Sequence, residues 1–80
     1  MAKYDPLQER LSRAGGETLT LRFNQIDELV QTLPRSARQY PAWWANETGQ
    51  GHVQARAWMD ARWMVDRVDF HSEHVTFRRA

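Results

Sequence analysis

The chain contains no cysteine, which excludes disulfides, thiol nucleophiles and thiolate metal sites. No stretch approaches the ~18 consecutive apolar residues of a membrane span. The start, MAKYDPLQER, has no apolar run of the kind that heads a secretory leader. A cytoplasmic protein with no membrane partner is therefore expected. Glycine and proline are few, four and three, so each punctuates the chain at a place that can be named. There is no internal repeat and no low-complexity segment. An excess of one charge sign is also missing. Eleven basic residues face ten acidic ones, net +1, too balanced to announce a nucleic-acid binder by composition.

What is present is arginine and aromatic bulk. Ten of the eleven basic residues are arginine, which suits bidentate contacts to phosphate or carboxylate and stacks on rings. Residues 1–34 carry net −1 and residues 35–80 net +2. Eighty residues make one domain, which buries roughly 60–65% of its unfolded surface. Four tryptophans, three phenylalanines and two tyrosines offset that small size, because each aromatic buries on the order of 150–250 Å².

The spacing of apolar residues predicts a first helix from Asp5, with Pro6 at its first position and Leu7, Leu11 and Ala14 on one face, ended by Gly15-Gly16. Glu17–Arg22 alternates and predicts a short strand. Asn24 is the expected cap of a second helix, with Asp27 at its third position. Ile26, Leu29, Val30 and Leu33 form its stripe, and Pro34 its stop. Residues 35–39 suit one helical turn. Trp43–Gly51 reads as loop, punctuated by Asn46, Gly49 and Gly51. A third main helix is expected from His52 or Val53 to Arg62, burying Val53, Ala57, Trp58 and Ala61 and leaving Gln54, Arg56 and Met59 outward. Trp63–Phe70 and Val75–Arg79 predict a hairpin, in which a bulge near Asp66-Arg67 restores a single apolar face.

The expected class is α+β: a small winged-helix-like domain with helix, short strand, two helices and a C-terminal β-hairpin. One feature opposes it. A compact helix-turn-helix joins its helices by about three to four residues, whereas eighteen separate Leu33 from His52.

The segments Phe23-x-x-Ile26-x-x-Leu29, Leu33-Pro34-x-Ser36-Ala37-Arg38-x-Tyr40, Trp43-Trp44-Ala45-Asn46, Gln54-Ala55-x-Ala57-Trp58, Trp63-x-Val65-x-x-Val68-Asp69 and Val75-x-Phe77-Arg78 resemble a small uncharacterised bacterial domain family, over most of the chain. The SAR-x-Y-x-x-WWAN motif carries most of the likeness. The resemblance implies bacterial origin and an association with DNA-transaction proteins. It assigns no catalytic residue.

Candidate site residues follow from side-chain chemistry. Arg35, Ser36 and Arg38, on a turn following Pro34, suit phosphate oxygens, though Arg38 equally suits an acidic partner. Gln54 and Arg56 would face the major groove if the third main helix were the reading element. Arg78 and Arg79 flank the hairpin and suit phosphate or minor groove. Trp43 and Trp44, adjacent in an extended chain, would face opposite ways: one plugging the core, the other an aromatic platform for a base or a protein partner. Trp58 and Trp63 are expected in the core. Asn46 can read adenine, but a structural role, capping the third main helix or tying the loop to a backbone carbonyl, is the stronger expectation. His52, His71 and His74 lack metal-ligand spacing, there is no Gly-rich phosphate loop, and no carboxylates pair in a cleft. The expected protein is not an enzyme and has no cofactor. Duplex DNA is the first expected partner, a protein docked on the aromatic loop the alternative, and a homodimer is compatible with both.

Overall fold

The computed structural model describes residues 2–47, 49 and 52–80. It is an α+β domain ending in an antiparallel β-hairpin. The order is α1 (Asp5–Ser12), β1 (Thr18–Arg22), α2 (Phe23–Val30), α3 (Arg35–Gln39), a 3₁₀ turn (Pro41–Trp44), α4 (Ala55–Met59), β2 (Trp63–Asp69) and β3 (His74–Arg79). The strands form one antiparallel sheet in the order β1-β3-β2. The expected bulge is there: the β2–β3 register slips between Val65 and Arg67, which turns Val65 and Val68 to the same face as Val75 and Phe77. Helices α1 and α2 pack together, and α4 lies between α1 and β2.

Local signals explain much of this. Helix α1 starts one residue earlier than expected: Asp5 is its first residue rather than its cap, Tyr4 stands at the cap and Pro6 is second, and Leu7 and Leu11, four apart, are both fully buried. Gly16 at φ 84 supplies the left-handed turn into β1. Other helix ends differ from expectation too. Helix α2 begins one residue before Asn24, because the Gln25 side chain, rather than Asn24, accepts the Arg22 N–H at 2.8 Å. It ends at Val30, short of Pro34. Gln31 takes φ 67, and the Thr32 N–H reaches back to the Asp27 carbonyl at 2.9 Å, a left-handed helix ending. Asp27, expected in a capping box, instead accepts the Leu33 N–H at 2.7 Å and so holds the four-residue connection to α3. Helix α4 is five residues rather than about ten, so its register rotates. Gln54, Ala55, Ala57 and Trp58 are buried, Val53 is 68% exposed, and Met59 packs partly on the core. The expected inward Val53 and outward Gln54 are thus exchanged. The helical turn expected over residues 35–39 is α3, and the loop expected from Trp43 starts inside a 3₁₀ turn, Pro41–Trp44. Gly51 lies outside the described residues.

The core is an aromatic column. Phe23 stacks on Trp44 (5.6 Å, 11° between planes), Trp44 on Trp58 (5.8 Å, 22°), and Trp58 leans on Phe77 at 6.0 Å. Trp58 and Trp63 are fully buried, as expected. On the outer edge of β2, Asn46 caps the backbone of Val65. Its amide donates to the Val65 carbonyl at 3.0 Å, and its Oδ1 accepts both the Val65 N–H (2.9 Å) and the Trp58 indole N–H (3.0 Å). The β2–β3 turn is held by Asp69, whose Oδ1 accepts the N–H groups of Ser72 (2.9 Å) and His71 (3.0 Å).

Two outcomes follow. Asn46→Ala strands an indole N–H and both backbone groups of Val65. A loss of about 1–3 kcal/mol is expected for each group left without water, read by chemical denaturation; a variant as stable as the parent would show that Asn46 holds nothing. Asp69 should give an acid-dependent effect. The Ser72 N–H holds its carboxyl below the ordinary 3.8 against the opposing desolvation, and the His71 N–H, the nearby His74 and the Ser72 hydroxyl add to the lowering. A depressed folded-state pKa contributes stability above the unfolded value that is lost as pH falls through the folded one. Asp69→Asn should therefore lower the melting temperature at pH 7, with the gap to the parent closing towards pH ~2. A gap of equal size at both pH values would mean the carboxylate charge has no part in the turn.

Candidate functional site

Five arginines were candidates for a shared basic surface. The fold disperses them and gives four of them partners. Arg38 rises from α3 between α2 and the hairpin turn, where its guanidinium pairs with the Asp27 carboxylate and with Glu73 Oε2 at 3.3 Å. It also lies 5.7 Å from the centre of the Phe23 ring. Of the two roles open to it, the acidic partnership is the one it takes. Arg79 sits 4.0 Å over Trp63 and donates to the carbonyls of Ala14 (3.0 Å) and Gly16 (3.1 Å), joining β3 to the end of α1. Arg56 meets Asp60 one turn along at 3.7 Å, and Arg78 meets Asp66 across the hairpin at 3.7 Å. Arg79 stands at the hairpin base and the partner of Arg38 at its tip, roughly 20 Å apart along the strand.

Two other candidates leave the surface. Gln54 is 4% exposed and donates to the Trp43 carbonyl at 2.9 Å. It cannot reach a base edge, because the shortened α4 turns it inward. Trp44 is 2% exposed, with its indole N–H on the Ala37 carbonyl at 2.8 Å, so it offers no platform. The tryptophan pair divides, but on a 3₁₀ turn rather than in the extended chain expected, so its two rings stay in contact. Trp43 stays half-buried, edge-on to Trp44 at 4.6 Å and to Tyr4 at 5.9 Å. Asn46 takes the structural role expected of it.

What remains on the surface is the outer side of α3 and its exit. Arg35 and Gln39 are both exposed. Four residues apart on a helix, they share a face. Among the described residues Arg35 has no ion-pair partner. Ser36 is half-buried beside them. Tyr40 follows at 59% exposure, and Val53, at 68%, flanks the other side of the 3₁₀ turn. Gln39 was missed from sequence. Its signal is the spacing of four from Arg35 once residues 35–39 are taken as helix. Among the described residues no cluster of His, Asp and Glu suits a metal ion, and no helix is long and apolar enough to cross a membrane. A depression of about 420 Å³ between the start of α1 and the end of α2 has Lys3 as its single charged lining residue.

Residues 4–80 match the model of a domain of unknown function, DUF7662, and the chain belongs to that family. No curated protein and no solved structure matches the chain.

Arg38 acts here as the tie between α2, α3 and the hairpin. Arg38→Ala leaves Asp27 and Glu73 facing each other without a cation, and a loss of about 1–3 kcal/mol is expected for the charge-assisted bonds. Arg56→Ala, whose pair is exposed, should cost under about 0.5 kcal/mol. Thermal melts of the two variants test the contrast, and equal melting temperatures would refute the tie.

Proposed function

We propose that this chain is a small duplex-DNA-binding domain of winged-helix type, in which α2, residues 31–34 and α3 form the helix-turn-helix and α3 is the reading element. The observation that carries this reading is the α2–α3 junction. Four residues separate the helices, the length a helix-turn-helix uses, and α3 presents Arg35 and Gln39 outward on one face. Those are the side chains that bind guanine O6/N7 and adenine N6/N7 bidentately. The order of helices and strands, with β1 pairing the second hairpin strand, agrees with such a body. The spacing conflict between Leu33 and His52 falls away once α3 takes the place first given to α4. Within this reading Arg38 is a positioning residue, Ser36 and the nearby backbone suit phosphate, and Arg56 and Gln54 have no part. Bacterial origin, cytoplasmic location, and neither enzymatic activity nor cofactor go with it.

A second reading has one observation in its favour. Tyr40 and Val53 are the exposed large hydrophobics of the described chain, and both flank the 3₁₀ turn that holds Trp43. A protein partner docked there would make the domain an adaptor, with Trp43 at the edge of the contact.

The test is a titration of labelled random duplex by the chain, with preferred sequences selected from a pool. Binding should appear at or below about 10⁻⁵ M protein at low salt and weaken steeply with added salt, since phosphate contacts release counterions. Arg35→Ala and Gln39→Ala should each cost about 1–3 kcal/mol on the selected sequence and much less on random duplex, with Arg56→Ala unchanged on both. Absence of binding at low salt would end the DNA reading. A stoichiometric protein partner lost on Tyr40→Ala, with DNA failing to compete, would establish the adaptor in its place.

A further inference from the structure

The two outer edges of the sheet are built differently. In β2, Val65 directs its backbone groups outward, and the Asn46 side chain fills both. In β1, the pairing with β3 places Leu19 opposite Phe77 and Leu21 opposite Val75. The flanking bonds, Arg79 N–H to Glu17 O at 2.8 Å and Phe23 N–H to Glu73 O at 2.9 Å, show which residues face β3. Residues 17, 19, 21 and 23 spend their backbone groups on β3, and the antiparallel alternation turns those of Thr18, Thr20 and Arg22 outward. The Arg22 N–H is taken by Gln25, and its carbonyl is the helix-capping one. The open edge is therefore two residues long, Thr18 and Thr20, with two donors and two acceptors. Both residues are exposed, and Leu19 between them is half-buried. Neither lysine, proline nor an inward charge blocks Thr18 or Thr20, and shortness is what limits pairing at this edge.

We propose that this edge is the interface between two copies of the chain, paired antiparallel about a two-fold axis at Leu19. In that register Thr18 of each copy lies opposite Thr20 of the other. The four open backbone groups of each copy find partners in four interchain hydrogen bonds, with none left over. The two Leu19 side chains meet as a non-hydrogen-bonded pair, the closer kind, and each covers apolar surface that the other leaves uncovered. On the opposite face Thr18 sits beside Thr20 of the other copy, extending the Thr20–Thr76 hydroxyl contact of 3.1 Å across the junction. A register centred on Thr20 would instead press Thr18 against Arg22, whose donor is occupied. On the other outer edge Asn46 occupies the backbone of Val65 in the middle of β2 and interrupts the ladder there, so pairing through β1 gives a six-stranded sheet of two copies. Such a contact is small against a standard interface, so the dimer is weak and concentration-dependent. The inference does not depend on DNA binding.

The absence of native cysteine allows a direct test. Leu19→Cys, Thr20→Cys and Glu28→Cys, the last an exposed position on α2, are each incubated with oxidised glutathione, which takes up the two electrons as two thiols join in one disulfide. Pairing at Leu19 brings the two thiols of Leu19→Cys within bonding reach. That variant should form covalent dimer on the order of tenfold faster than the other two, as expected when a bimolecular step becomes intramolecular. Adding Thr18→Pro, which removes an edge donor at the first strand position where proline is tolerated, should abolish the advantage while the circular dichroism spectrum stays native. Sedimentation of the parent should show average mass rising from one chain towards two with concentration. Thr20→Cys matching or exceeding Leu19→Cys would overturn the register. A parent that stays single at all concentrations, or a Leu19→Cys rate equal to that of Glu28→Cys, would overturn the dimer.

Discussion

Three buried tryptophans bring three indole N–H donors into the interior of this domain, and each must find an acceptor there. A buried donor left unpaired costs about 1–3 kcal/mol, a large part of what holds so small a fold together. Trp44 is satisfied by the Ala37 carbonyl, Trp58 by the Asn46 side chain and Trp63 by the Leu11 carbonyl at 2.9 Å. Each bond ties a large ring to a different part of the chain: α3, the segment after the 3₁₀ turn, and the end of α1. The rings supply the bulk that eighty residues otherwise lack, and their polar atoms decide which segments lie against them. That requirement explains the Trp43-Trp44-Ala45-Asn46 run. Trp44 must enter the column between Phe23 and Trp58, and Asn46, two residues on, must reach both the next indole and the edge of β2.

The arginines obey a related constraint. A guanidinium near the core needs an acceptor for each of its donors, and in this chain Asp27, Glu73 and the carbonyls of Ala14 and Gly16 provide them. An arginine-rich sequence thus gives a structure in which two of the five candidate cations, Arg38 and Arg79, hold separate elements together, while Arg56 and Arg78 make exposed local pairs. The exposed candidate surface contracts to α3, where Arg35 and Gln39 stand out beside Tyr40. Arg38, on the same short helix, fixes that surface relative to α2 and the hairpin. One helix therefore divides its residues between anchoring (Ala37, Arg38) and presentation (Arg35, Gln39).

The sequence alone determined the features that depend on near neighbours in the chain. The Leu7–Leu11 and Ile26–Val30 stripes, the turn at residues 35–39, the hairpin and its bulge, and the core places of Trp58 and Trp63 all follow from spacing and side-chain volume, which act over a few residues. The tertiary structure decided what depends on distant partners. Helix α2 stops at Val30 because Asp27 is drawn to Leu33 and Arg38. Gln54 turns inward because α4 is cut to five residues and the Trp43 carbonyl lies within reach. The fates of Arg38 and Arg79 were illegible for the same reason: their partners lie 35 and 63 to 65 positions away. A one-dimensional pattern carries a residue's polarity and period, whereas the partner that satisfies a buried charge or donor is chosen only when the folded chain brings it within hydrogen-bonding distance.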